Sequence, residues 1–190
     1  MVGTQAARTQ SLDEFVAWQQ TQPERWEFFQ GIAYAMAGAS NAHVTASLNV
    51  GAALKSRLRG SGCRVYGPDV NLRIDAADAL FHPDVTVSCA VADHAANDAI
   101  REPVLIVEVL SDSTATYDRG RKFAAYRGLP SLREYMLVDV EAATVEVYRL
   151  GADGHWVLFD FAGASSVELA SVAASVPMAE VFEDIDQARP

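Results

Sequence analysis

The spacing of hydrophobic and polar residues divides this chain into strands and helices arranged around one apolar run. Residues 104–110 read VLIVEVL, an apolar segment interrupted only by Glu108. A run without polar alternation predicts a strand covered on both faces. Burying an ionised carboxylate in such a strand is unfavourable unless a cation or hydrogen bonds compensate it. The pattern therefore predicts the central strand of a sheet and raises the question of what Glu108 is for.

Helices are predicted where apolar positions follow the helical period or where a capping signal opens a segment. Ser11 followed by Glu14 is a capping-box pattern that predicts a short first helix. Residues 40–59 predict the longest helix, because their apolar residues recur at nearly helical spacing. Residues 115–128 predict another helix, which stops at a Gly-Leu-Pro sequence, and a last helical turn is predicted in MAEVFEDI.

Strands are predicted by short apolar runs between turn residues. The Gln30-Gly31 pair in RWEFFQGIAYAMA predicts a hairpin. The other predicted strands are residues 63–66, 69–74, 84–90, 104–110, 133–140 and 144–150, with a short strand or two after them. Strands and helices in this order predict an α/β or α+β protein, a single domain over residues 1–190 with a central mixed sheet flanked by helices.

Composition narrows the class of protein. Half of the 190 residues are hydrophobic, but no apolar stretch reaches the roughly 18–20 residues that cross a bilayer, so we expect no membrane span. The amino-terminal residues lack the apolar segment of a signal peptide. Cys63 and Cys89 do not predict a disulfide framework or a zinc site, which favours a reducing cytoplasm as the compartment.

The charge pattern bears on the class of partner. The net charge of −10 argues against a protein that coats itself with nucleic acid. Basic residues nevertheless gather in residues 55–73 and again in residues 119–133. Two interpretations of these groups stay open, namely solvated helix faces and a local groove for a polyanion.

Three carboxylates stand on or beside apolar strands. Asp84 begins an apolar strand after Pro83, Glu108 lies within the buried run, and Glu27 lies on an aromatic strand. If the strands of Asp84 and Glu108 are neighbours, the two carboxylates repel each other unless a cation lies between them. Oxygen ligands with room for water suit Mg²⁺ or Mn²⁺. The alternative is that Glu108 or Glu27 pairs with a buried arginine.

One helix face offers further candidate chemistry. Asp118, Lys122 and Tyr126 are four residues apart and therefore share a face. The simplest interpretation is an exposed ion pair of little energetic value. The chain has 13 Arg and only two Lys, however, and a compact ammonium with an adjustable pKa suits catalysis better than a guanidinium. His43 is either a capping or packing residue or a group that orients a phosphate or a metal-bound water.

Together these residues resemble a known family. Pro83-Asp84, a Glu in a buried strand and a Lys are the elements of the PD-(D/E)XK nucleases, but the usual Lys position is Leu110 here. The chain resembles the Uma-type family of restriction-endonuclease-like proteins, in which the Lys has moved to the following helix. The matching segments are Glu27 with Gly31, Ser40 with His43, Pro83-Asp84, EVLSDST, and Asp118-Lys122-Tyr126, within about residues 12–185. One departure is Asp112, where the family usually has proline.

The resemblance implies a restriction-endonuclease-like fold and a metal site. Asp84 and Glu108, with the backbone carbonyl of Val109, would hold Mg²⁺ (or Mn²⁺). Glu27 would complete the metal shell directly or through water. The metal would lower the pKa of a bound water and neutralise charge at the scissile phosphate.

The resemblance also implies how the remaining residues act. Lys122 would reach from its helix into the place vacated at Leu110 and position the attacking water. His43 would contact the phosphate, and Tyr126 is a second expected substrate contact. Homodimers are frequent among such nucleases, because cutting two strands needs two sites.

Three functions remain as hypotheses from the sequence. The first is a metal-dependent endonuclease that hydrolyses DNA. The second is a catalytically inactive nuclease fold that serves as a binding or assembly module, which the acidic balance favours. The third is a metal hydrolase acting on a small phosphate ester.

Overall fold

The elements of the fold follow most of the predicted strands and helices, in a computed structural model that describes residues 11–36, 38–111 and 114–185. The helices are α1 (Leu12–Gln19), α2 (Asn41–Arg57), α3 (Val91–Ala95), α4 (Ala115–Tyr117), α5 (Phe123–Tyr126) and α6 (Met178–Val181), and a π-helical turn, Asp118–Lys122, joins α4 to α5. The strands are β1 (Trp26–Phe29), β2 (Ile32–Ala35), β3 (Arg64–Tyr66), β4 (Leu72–Ile74), β5 (Ala79–Phe81), β6 (Val85–Ser88), β7 (Pro103–Leu110), β8 (Glu134–Asp139), β9 (Thr144–Leu150), β10 (Trp156–Asp160), β11 (Ser166–Leu169) and β12 (Ala174–Pro177). Asp112 lies outside the described residues.

Local sequence signals explain where the first elements begin and turn. The Ser11 hydroxyl accepts a hydrogen bond from the Glu14 N–H at 3.3 Å and donates one to Glu14 Oε2 at 3.0 Å, so the predicted N-cap of the first helix is confirmed. Gln30 and Gly31 both have positive φ, 49° and 80°, which a two-residue hairpin turn requires. Ser40 caps α2, the longest helix, by accepting from the His43 N–H at 3.2 Å. These caps place the start of α2 next to the candidate site.

A six-stranded mixed sheet forms the centre of the molecule, in the order β10-β9-β8-β7-β6-β3. The β7–β8 pair is parallel and the other neighbouring pairs are antiparallel. One face packs against α2 through Val50 and Leu54, and the other packs against α5 through Phe123 and Tyr126. The prediction that the run containing Glu108 is a central strand of a mixed sheet flanked by helices is therefore confirmed.

A second, four-stranded antiparallel sheet, in the order β2-β1-β5-β4, carries Glu27 to the site. Its strand β5 was absent from the predicted elements, because three residues are too few to show an alternating pattern. Helix α3 was also missed, since it has five residues and no side-chain cap. Strand β5 leads directly into Pro83-Asp84 and so sets the approach of the two sheets.

The two cysteines require a correction. Arg64 pairs with Ser88 in the antiparallel β3–β6 ladder, so Cys63 and Cys89 lie opposite each other, 4.0 Å apart between Cα atoms, and form a disulfide. This disulfide was not expected from the sequence, because strand register is not visible in a spacing of 26 residues. The bond removes the argument from cysteine usage for a reducing compartment. No helix in the described ranges is long and apolar enough to cross a membrane.

Candidate active site

A cavity of about 590 Å³ opens where β6 begins and β7 ends, beside β2 and the first turn of α2. Its lining includes seven of the candidate residues named from the sequence: Glu27, His43, Asp84, Glu108, Val109, Asp118 and Lys122. Side chains from two sheets and two helical segments therefore meet in one place, although 95 residues of sequence separate the first of them from the last. Tyr126, a further candidate, is fully buried and does not line this cavity.

Asp84 is held by both of its carboxylate oxygens. Val85 pairs with Val107 in the antiparallel β6–β7 ladder, so Asp84 lies beside the end of β7 that carries Glu108. Asp84 Oδ2 accepts a hydrogen bond from the Val109 N–H at 2.7 Å, and Asp84 Oδ1 lies 2.9 Å from His43 Nε2. The predicted approach of the two strands is thus present, and Asp84 is fixed in orientation.

Lys122 lies at the centre of the remaining acids. Its Nζ is 2.9 Å from Glu27 Oε1, 3.1 Å from Glu108 Oε1 and 3.6 Å from Asp118 Oδ1. Lys122 is 7% exposed and Glu108 is 4% exposed. The interpretation of Asp118 and Lys122 as an exposed ion pair is therefore wrong. The alternative of a buried arginine beside Glu108 or Glu27 is also wrong, because the cation is this lysine.

The helical segment that carries Lys122 is not a regular α-helix. Residues Asp118–Lys122 form a π-helical turn, a feature that often occurs at functional sites. One helical turn further on, the Tyr126 hydroxyl donates a hydrogen bond to Glu108 Oε1 at 2.6 Å. Asp118, Lys122 and Tyr126 share one face, as predicted, but that face is buried and points at Glu108.

The pKa values of Glu108 and Lys122 depend on burial and on the charges of the neighbouring side chains. Burial raises the pKa of Glu108 well above its usual value; Lys122 opposes this rise, whereas the charges of Asp118, Asp84 and Glu27 add to it. Burial lowers the pKa of Lys122, but the carboxylates around it outweigh burial and raise that pKa well above its usual value. Lys122 is therefore protonated at neutral pH.

His43 is held in the same field of charge. Burial lowers its pKa, but the hydrogen bond and the charge of Asp84, with a contribution from Asp118, outweigh burial and raise the pKa above its ordinary value. The His43 N–H also binds the Ser40 cap, so the residue is both part of the capped turn and a partner of Asp84. The capping and packing interpretation thus describes the environment of His43, and a role in orienting a phosphate or a metal-bound water stays a prediction.

The site holds more negative charge than positive charge. Four carboxylates, here called the carboxylate cluster, stand around it: Glu27, Asp84, Glu108 and Asp118. One ammonium, Lys122, faces three of them. Asp118 Oδ1 is buried without a hydrogen-bond partner among the described residues. A buried excess of carboxylate charge favours either bound protons or a bound cation.

The donor set fits a hard divalent cation. The Val109 N–H points at Asp84, and in a β-strand the carbonyl of a residue lies on the same side as its N–H, so the Val109 carbonyl faces Asp84 as well. Mg²⁺ is usually bound by one or two carboxylates and keeps several waters. Asp84, Glu108 and this carbonyl suit that requirement. In the described part of the chain, no group of three or more His, Cys, Asp or Glu side chains is placed to hold a metal ion, so the carbonyl and waters would supply the remaining ligands.

His82 belongs to the site but had no usable signal in the sequence. It is buried at the cavity wall, and its backbone N–H donates to Glu27 Oε1 at 3.1 Å. Its ring Nε2 lies 3.1 Å from Gln19 Nε2, and burial lowers the pKa of the imidazole. Its place next to Pro83-Asp84 is the one feature that could have suggested a role.

Four of the ten basic residues in the two basic groups form ion pairs within the fold. These pairs are Arg57 with Glu180, Arg73 with Asp13 and Asp75, Arg119 with Glu146, and Lys122 with the carboxylates above. The other six form no ion pair with the described residues, so internal pairing accounts for fewer than half of the two groups.

Comparisons with known proteins agree with this fold and with the sequence resemblance. A family profile described as "Uma2: Putative restriction endonuclease" matches residues 12–179. Two uncharacterized proteins of Synechocystis sp. (strain ATCC 27184 / PCC 6803 / Kazusa) are similar: slr1290 is 32% identical over 175 residues, 92% of each chain, and sll1609 is 32% identical over 155 residues, 80% of this chain and 88% of that one.

A solved structure resembles the fold. It is described as "a putative nuclease belonging to DUF820" from Anabaena variabilis ATCC 29413, and it superimposes with a TM-score of 0.73 over 91% of this chain and 97% of that chain. At 19% identity this likeness concerns the fold. The profile match covers most of the sequence, and with the Synechocystis relatives it shows that this protein belongs to the Uma2 family.

Proposed function

We propose that this protein is a nuclease that uses Mg²⁺ or Mn²⁺ to hydrolyse phosphodiester bonds of DNA at the carboxylate cluster. The observation that carries the proposal is the charge balance of the cavity, where four carboxylates stand around the site and one ammonium faces three of them. A divalent cation would neutralise that excess. Membership of a family described as restriction endonucleases supports nucleic acid as the substrate class.

Asp84, Glu108 and the Val109 carbonyl would hold the cation. When bound, it would supply an acidified water and neutralise charge on the scissile phosphate. The hydrogen bond from the Val109 N–H keeps Asp84 in one orientation, and the Tyr126 hydroxyl does the same for Glu108. The fully buried position of Tyr126 supports this positioning role in place of the substrate contact expected from the sequence.

Lys122, Glu27 and His43 would act on the water and the phosphate. The Lys122 ammonium stays protonated beside Glu108, so it can orient an attacking water and stabilise negative charge at the phosphate. Glu27 holds Lys122 at 2.9 Å and is near enough to bind an outer water of the cation shell. The raised pKa of His43, beside Asp84, favours its imidazolium form, which can donate to a phosphate oxygen.

The test is cleavage of labelled DNA in Mg²⁺ or Mn²⁺ by the wild type and by two isosteric variants, Asp84→Asn and Glu108→Gln. We expect each variant to lose about a hundredfold or more of the rate, because each removes a charged ligand of the cation. Glu168→Gln, which makes the same chemical change at an exposed site, is the control and should keep full activity. Equal rates in all four proteins would exclude this site.

A binding or assembly module is the second candidate, and the net charge of −10 favours it. It predicts a folded wild type that cleaves no nucleic acid with either metal and that binds a protein partner. Hydrolysis of small phosphate esters without hydrolysis of DNA would instead support the third hypothesis.

The cellular compartment and the oligomeric state stay predictions. A DNA substrate favours the cytoplasm expected from the sequence, whereas the Cys63–Cys89 disulfide favours an oxidising compartment. The homodimer expected from the family resemblance is checked by the mass of the protein in solution.

A further inference from the structure

We infer that the cavity accepts a single, unpaired DNA strand in preference to a double helix. The inference rests on the proposed function and names the form of its substrate. Three features of the cavity lead to it: the depth of the reactive groups, the aromatic and apolar wall, and the charge of the lining.

The reactive groups lie at the bottom of the cavity. Glu27, Glu108 and Lys122 are each no more than 7% exposed, so a phosphate must enter the cavity to meet them. The phosphates of a duplex lie on a stiff rod whose bases are stacked and paired. A single strand can bend about its backbone and carry one phosphate inward, at a lower cost in unpairing and unstacking.

The wall of the cavity offers surfaces for bases. The rings of Tyr34 and Tyr117 stand 6.4 Å apart between centroids and both line the cavity, together with Met36, Val44 and Leu110. Aromatic rings bind single-stranded nucleic acid by stacking on exposed base faces, without regard to sequence. Base faces inside a duplex are covered by their neighbours, so this wall recognises an unpaired strand.

The excess of acidic residues in the cavity lining also favours a single strand over a duplex. Its acidic residues are Glu27, Asp84, Glu108, Asp118, Asp139 and Glu141. Among the described lining residues, Lys122 is the only lysine or arginine, and three carboxylates already surround it. Neutralisation of phosphates by Lys and Arg contributes more to the binding of a duplex than to that of a single strand, which can also bind by stacking. Here stacking has to supply the affinity that basic residues do not.

The test compares one labelled DNA strand, alone and annealed to its complement, in Mg²⁺ or Mn²⁺. We expect the single strand to be cleaved about tenfold faster or more, the factor that one stacked base can provide. Tyr34→Ala and Tyr117→Ala should each raise KM for the single strand about tenfold, with less change in kcat. Phe159→Ala, which removes an exposed ring on β10 outside the cavity, is the control and should change neither value.

The outcomes separate this inference from the proposed function. Duplex cleavage at an equal or higher rate, lost in Glu108→Gln, would overturn the inference and keep the nuclease. Cleavage of neither DNA by the wild type would overturn both. Fluorescence anisotropy of the same two DNAs in EDTA is a second readout, and tighter binding of the duplex would also contradict the inference.

Discussion

Lys122 connects the acids of the site at the scale of single residues. A buried ammonium is tolerated because Glu27, Glu108 and Asp118 surround it, and the three acids are tolerated because the ammonium is there. The dependence is unequal, however. Each acid is one of three partners for the lysine, whereas the lysine is the one cation that these acids share among the described residues. The sequence could show that Asp118, Lys122 and Tyr126 share a face, but not that this face is buried.

Because Lys122 has three acidic partners and these acids share one cation, two substitutions should lower the stability of the metal-free protein by different amounts. Lys122→Met should lower the free energy of unfolding by about 3–5 kcal/mol, because it leaves buried carboxylates without their cation. Glu108→Gln should cost less than about 1.5 kcal/mol, since the amide keeps the shape and Lys122 keeps two acids. Urea denaturation followed by circular dichroism measures both.

Lys55 provides the matched control for this comparison. It is the other lysine of the chain and lies exposed on α2, so Lys55→Met should change the free energy of unfolding by less than about 0.5 kcal/mol. A cost for Lys122→Met as small as that of the control would contradict the view that Lys122 compensates the carboxylate cluster.

The elements bring the site together through strand ends and one irregular helix. Much of this could be predicted: the capped α1, the Gln30-Gly31 hairpin and the central strand β7 all follow from local pattern. The π-helical turn had no signal, because its residues also fit an ordinary helix. Strand β5 was too short to be recognised, although it joins Glu27 on the second sheet to Pro83-Asp84.

Gly120 in the π-helical turn tests whether that irregularity depends on glycine. A Cβ added there meets nothing within 4 Å, and the backbone does not have a positive φ. Gly120→Ala should therefore raise the free energy of unfolding by about 0.5–1 kcal/mol, the ordinary gain of alanine over glycine in a helix.

Gly128, just after α5, is the comparison. A Cβ there comes within 3.1 Å of the Ala125 carbonyl oxygen, so Gly128→Ala should bring no gain. Both variants are compared by chemical denaturation. A loss of stability in Gly120→Ala would mean that the turn needs a glycine, in conflict with the geometry described above.

At the scale of the whole molecule, two sheets enclose a deep acidic cavity in a protein of net charge −10. The fold class and most of the charged residues that meet at the site could be predicted, because the apolar runs and the family resemblance both point to strand ends. The Cys63–Cys89 bond, the position of His82 and the ion pairs of the basic residues could not be predicted. Each of these depends on register or on long-range packing, which a single sequence does not display.

The measurement that tests the central claim most directly is calorimetric titration of Mn²⁺ and Mg²⁺ into the wild type, Glu108→Gln and Glu168→Gln. If the carboxylate cluster is a cation site, the wild type and Glu168→Gln will bind the metal saturably and Glu108→Gln will bind it at least about tenfold more weakly. Equal binding by all three proteins, or no binding by the wild type even with DNA present, would contradict the claim and leave Glu108 as a structural carboxylate held by Lys122 and Tyr126.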